Sequence, residues 1–95
     1  MTSRSRVEIA ADILQAARGG AKKTQIAYRT NLNHRYVNKY LETLIRAGLI
    51  SREGKLFKTT RNGFEFLQFF EEIKKNLSKT SVIESNLKVK DQKTD

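Results

Sequence analysis

The sequence predicts a mainly α-helical domain with one small β-hairpin, followed by a long terminal helix. Three observations lead there. Apolar residues recur at helical spacing in three stretches before Gly48; the period drops to about two between Leu49 and Thr59; and a helical stripe returns after Thr60, too wide for one interface. The central stretch is NLNHRYVNKYLETLIRAGLI, residues 31–50. In it Val37, Tyr40, Leu41 and Leu44 form a stripe one face wide, while His34, Arg35, Asn38 and Lys39 lie opposite, with Glu42 one turn on.

Each element follows from local signals. Residues 1–5 are polar and basic and read as a flexible arm or a solvated tail. Ser5 with Glu8 three residues later makes a capping-box pattern, and Val7, Ala10, Ile13, Leu14 and Ala17 support a helix over residues 6–18, ended by Gly19-Gly20. Thr24 is the expected cap of a short second helix reaching Arg29, with Ile26 and Tyr28 facing inward. Lys22 and Lys23 stand at its start, where cations oppose the helix dipole, so they read either as a phosphate-docking pair or as a solvated one. Thr30-Asn31-Leu32 makes the turn, Leu32 enters the core, and Asn33 caps the third helix, which closes at Ala47-Gly48.

The segments LISRE and KLFKT flank Glu53-Gly54-Lys55 as a hairpin, Gly54 supplying the positive φ of the tight turn. Two strands alone are marginal, so Ile50, Leu56 and Phe57 are expected to pack on the helices. A basic hairpin behind a polar-faced helix corresponds to the wing of a winged helix-turn-helix. Thr60 caps a fourth helix in which Phe64 and Leu67 close the core, while Phe66, Phe70, Ile73 and Leu77 fall at coiled-coil spacing. Phe69 joins them as a dimerisation residue, because an exposed row of phenylalanines calls for a partner helix. The expected organisation is an arm over 1–5, a winged domain over 6–63, a dimerisation helix over 64–87 and a disordered tail over 88–95.

Charge narrows the partner. The net charge is +9, and residues 1–60 hold twelve Lys/Arg against four Asp/Glu, whereas residues 61–95 hold seven against six. A basic excess confined to the winged part points to a polyanion, either nucleic acid or an anionic membrane surface. The membrane alternative is disfavoured, because the long last helix sets its apolar stripe beside a nearly neutral face. No run is apolar enough to span a bilayer and the first residues lack a secretory block, so a cytoplasmic, nucleoid-associated location is expected.

Little supports an enzyme. Cysteine is absent and His34 is the single histidine, which removes cysteine-based zinc sites and nucleophile-base pairs; Gly19-Gly20 is followed by AKKT rather than by a Walker spacing; Glu8 and Asp12 read as a cap and a solvated face. No cofactor, metal or small-molecule substrate is expected.

Taken together, Lys23-Thr24-x-Ile26-x-Tyr28, Asn31-Leu32-Asn33, Tyr40-Leu41-x-x-Leu44, Glu53-Gly54-Lys55 and Thr60-x-x-Gly63 resemble the small basic archaeal winged-helix DNA-binding proteins of about ten kilodaltons. That resemblance implies chromatin association, dimerisation through a C-terminal antiparallel coiled coil, and binding of double-stranded DNA with little sequence preference, with bridging or compaction by the homodimer. The heptads after Leu77 are polar and depart from the pattern. The expected recognition-helix contacts are Asn33, His34, Arg35, Asn38 and Lys39, and the expected phosphate and wing contacts are Lys22, Lys23, Thr24, Arg29, Arg52, Lys55 and Lys58. A sequence-specific regulator, and a protein-interaction module using the winged helix and the Phe-rich helix, are the alternatives.

Overall fold

The computed structural model describes residues 4–78, which run α1 (Arg6–Ala16), β1 (Ala21–Lys22), α2 (Lys23–Thr30), α3 (His34–Arg46), β2 (Ile50–Glu53), β3 (Leu56–Thr59) and α4 (Arg61–Ser78). The first residues of the arm, the side chain of Leu77, the continuation of the last helix to Leu87 and the tail over 88–95 lie outside the described residues.

The capping box of α1 forms as its pattern requires. The Ser5 hydroxyl accepts from the Glu8 N–H at 3.1 Å, and the Glu8 carboxylate accepts from the Ser5 N–H at 2.7 Å. The helix stops at Ala16, two residues before the expected end. The reason is competition: the Ala17 carbonyl accepts the N–H groups of Gly20 and of Thr59, so the sheet takes over where the next helical turn would have formed.

The start of α2 corrects the sequence reading. Its N-cap is Lys22, held extended with φ −77° and ψ 158°, and Thr24 sits inside the first turn. The cause is β1, a strand the hairpin reading missed, which draws Ala21 and Lys22 into register with Phe57 and Leu56 of β3. The Gln25 side chain accepts from the Lys22 N–H at 2.8 Å, which is half of a capping box. The helix continues through Thr30, whose buried hydroxyl donates to the Ile26 carbonyl at 2.7 Å. Ile26, Ala27 and Thr30 form the inward face, and Tyr28, expected inside, is 87% exposed.

Asn31 takes the left-handed conformation with φ 59°, and Asn33 caps α3 by accepting from the Tyr36 N–H at 2.9 Å. Val37, Leu41 and Leu44 bury the stripe, with Tyr40 and Leu32 half-buried beside it.

The sheet is antiparallel, in the order β1-β3-β2. Arg52 opposes Phe57 and Glu53 opposes Leu56 around the Gly54-Lys55 turn. Alternation along β3 admits only one of two neighbours to the core. Phe57 enters it together with Thr59, whose hydroxyl donates to the Leu14 carbonyl at 2.6 Å, and Leu56, expected to pack inward, is 42% exposed on the outer face.

Thr60 caps α4 by accepting from the Gly63 N–H at 3.1 Å, while its own hydroxyl donates to the Gly48 carbonyl at 2.6 Å. Gly63 is buried against Leu49, just before β2, and Thr59 of β3, and a Cβ there would overlap the Leu49 carbonyl oxygen. Leu67 is buried as expected, but Phe64 stays 42% exposed beneath the Arg18 guanidinium, which lies 5.7 Å from its ring centroid. Phe66 and Phe70 take its place: their rings stack with centroids 6.4 Å apart, and both pack against the core. That core is centred on the fully buried Ile13, Leu14, Ile26, Val37 and Ile50. Burying each such side chain contributes about 1.5–3 kcal/mol, which is what holds the helices in place behind the exposed polar face.

Candidate nucleic-acid interface

The site is the outward side of α3, together with the α2 start and the hairpin. Because α3 seats Val37, Leu41 and Leu44 in the core, its other side is presented to solvent, and His34, Arg35, Asn38 and Lys39 are all exposed on it. Asn33 is exposed as well, but its side-chain oxygen is committed to the cap, leaving the amide N–H groups as its free donors. Arg46 lies at the other end of the helix on the Arg35 and Lys39 side, seven residues past Lys39, and is exposed. The sequence reading missed it although its spacing was visible.

The phosphate-binding candidates divide into two groups. Lys22 and Lys58 share the outer face of the sheet: Lys22 opposes Leu56 in the register, and Lys58 follows two residues along the same strand. Lys55 stands in the exposed turn, and Lys23 is half-buried at the first position of α2, with exposed Thr24 beside it.

Arg29 and Arg52 are engaged within the chain. The Arg29 guanidinium donates to the Ala16 carbonyl at 2.8 Å, tying α2 to the end of α1. Arg52 donates from Nε to the Gly54 carbonyl at 3.1 Å and lies 5.3 Å from the Phe57 ring centroid, so it braces the hairpin. Neither partner was readable from the sequence: Ala16 lies thirteen residues from Arg29, and Phe57 reaches Arg52 only through the strand register.

The cations of this surface lack acidic partners among the described residues. The ion pairs among the described residues are Arg4–Asp12 at 2.7 Å and Arg61–Glu65 at 3.9 Å, and neither touches α3, the hairpin or the α2 start. Lys22, Lys23, Arg35, Lys39, Arg46, Lys55 and Lys58 therefore stand without an acidic partner among the described residues. Two tyrosines accompany them. Tyr28 projects from α2 on the same face as Thr24, one turn earlier, and Tyr36 is half-exposed at the start of α3.

The described residues contain no group of three or more His, Cys, Asp or Glu side chains able to hold a metal ion, and no helix among them is long and apolar enough to cross a membrane.

A helix-turn-helix from α2 to α3, followed by a β-hairpin wing and packed under α1 and α4, defines the class. The chain belongs to the winged helix-turn-helix family, whose profile matches residues 3–78. Among solved structures it is similar to the crystal structure of Sso10a-2, a DNA-binding protein from Sulfolobus solfataricus. The TM-score is 0.68 and the identity 26%, covering 88% of this chain and 96% of that one. No curated protein matches the chain.

Proposed function

We propose that this protein binds double-stranded DNA as a homodimer with little sequence preference, in an architectural role on the nucleoid in the cytoplasm. One observation carries the reading: seven cations on α3, the α2 start and the wing lack acidic partners among the described residues, on a fold whose α3 presents a polar face to solvent. Unpaired surface cations repel one another, and a row of phosphates relieves that repulsion. In this reading Arg35, Asn38 and Lys39 face the major groove with His34 and Asn33 at its edge. Lys22, Lys23, Thr24, Lys55 and Lys58 meet phosphates. Arg29 and Arg52 act mainly by bracing the surface that carries them. The similarity to Sso10a-2, a DNA-binding protein, supports the DNA-binding part of this reading.

The dimer rests on α4. Phe69 is 62% exposed and Ile73 is 40% exposed, next to the partly exposed Phe66 and Phe70, and apolar area of this kind on an otherwise charged helix suits a second copy of itself.

Titration of a duplex against salt tests the DNA reading. The logarithm of the binding constant should fall linearly with the logarithm of salt concentration, with a slope of roughly −0.9 per phosphate neutralised. An affinity indifferent to ionic strength would refute it. Selection from a random duplex pool then separates the architectural role from a regulator, since a single strongly enriched motif would favour the regulator.

A further inference from the structure

Glu42 is the one acidic residue of α3, and it is exposed on the helix face that carries Arg35, Asn38, Lys39 and Arg46. At 100° and 1.5 Å per residue, it lies about 20° around the axis from Arg35 and about 40° from Arg46, roughly 10 Å beyond the first and 6 Å short of the second. Arg46 stands four residues ahead of it, the spacing and polarity at which a glutamate and a basic residue pair readily on a helix, yet no ion pair joins them. No side-chain hydrogen bond of Glu42 to a described residue occupies the carboxylate either. Its acceptor oxygens are left facing the same way as Arg35.

A carboxylate in that position is unfavourable for a surface that only follows phosphates, because it weakens the field its neighbours build. It becomes favourable only where a donor meets it. In the major groove the cytosine N4 amino group is such a donor with no acceptor beside it on its own edge, whereas adenine sets its N7 acceptor next to the N6 amino group, and guanine (N7 and O6) and thymine (O4) present only acceptors that a carboxylate repels. We propose that Glu42 reads a base, favouring cytosine at one position of the duplex under α3, so that a protein held mainly by phosphates keeps a weak preference at a single base pair. The proposal rests on α3 being the DNA-facing helix.

The test compares the full chain with Glu42→Gln, which keeps the shape of the side chain and removes its charge. Both are taken through selection from a random duplex pool. Titrations then follow on two duplexes that differ only at the selected position. The wild-type chain should prefer cytosine there by at least about fivefold, the lower end for a good base contact. In Glu42→Gln that preference should disappear or move to adenine, whose N6 and N7 suit an amide. A wild-type chain indifferent at every position would overturn the proposal. So would a cytosine preference that survives the substitution, or a variant that binds every duplex more tightly by one common factor, since that behaviour marks a merely repulsive charge. If neither chain bound any duplex at low salt, the DNA reading itself would fall and this proposal with it.

Discussion

Helices α3 and α4 are both amphipathic, and they differ in what each leaves outside. Helix α3 sinks Val37, Leu41 and Leu44 into the core and exposes mainly polar and basic groups. Helix α4 is eighteen residues long, buries Gly63 and Leu67, and leaves Phe69 mostly and Phe64 and Ile73 partly exposed among both signs of charge. The apolar demand of α3 is met within its own domain, so its surplus is electrostatic. In α4 the charges balance and the surplus is apolar. A surplus of cations calls for a polyanion and a surplus of exposed phenylalanine calls for another apolar face, so one chain carries two surfaces that do not compete.

The sharpest way to break that division is to loosen the joint between the halves. Gly63 sits where the start of α4 packs on Leu49 and Thr59, and a Cβ there would overlap the Leu49 carbonyl oxygen and come within 2.6 Å of the Thr59 side chain. Backbone cannot retreat as a flexible side chain can. Gly63→Ala should therefore destabilise the fold by about 3 kcal/mol despite the higher helix propensity of alanine. Urea unfolding reads this directly, and a stability equal to or above wild type would show that α4 is free to shift.

Next in size is the apolar surplus itself. Phe69→Glu combined with Ile73→Glu puts two charges into the proposed dimer face and should raise the dimer dissociation constant by about a hundredfold or more, while the winged domain stays folded. Sedimentation equilibrium with circular dichroism separates the two effects. An unchanged dimer would mean that partner helices meet elsewhere. On the electrostatic side, replacing Lys22 and Lys23 by alanine should leave the dimer intact and make the salt slope of DNA binding shallower by about 1.8 for the pair, by nearly the same amount on unrelated duplexes. A slope that does not move would show that these lysines are only solvated.

What could be read from the sequence was decided by neighbours along the chain. Ser5 with Glu8, Asn33 before α3 and Thr60 before Gly63 are caps whose two partners lie within three residues, and all form. The unpaired basic surface was legible for a similar reason, because twelve cations against four anions in residues 1–60 cannot be neutralised locally. What escaped depends on distant partners. Strand β1 is two residues long and exists only because β3 is there to pair with it, and once it formed it moved the start of α2 away from Thr24. The alternation of β3 required one neighbour inside but did not say whether Leu56 or Phe57. In α4, six aromatic and aliphatic positions between Phe64 and Ile73 competed for one interface, and the path of α4 over the core chose Phe66 and Phe70 over Phe64. The bond from one Arg29 N–H to the Ala16 carbonyl also escaped, because that carbonyl is invisible to any local pattern.

Asn33 gives the smallest and most discriminating test, because it stands on the boundary between holding α3 and serving its surface. The side-chain oxygen accepts from the Tyr36 N–H at 2.9 Å, which is structural work, while the amide nitrogen is free to donate to DNA. Asn33→Asp keeps the acceptor, and aspartate caps as well as asparagine while its charge suits the helix N-terminus, so stability should change by no more than about 0.5 kcal/mol. The same substitution removes the donor and adds a negative charge beside Arg35. If Asn33 faces DNA, duplex affinity should drop severalfold at low salt while the unfolding midpoint holds. If its role ends with the cap and the residue lies clear of the duplex, both should stay where they are, and the edge of the DNA-facing surface then begins at His34 rather than at the cap.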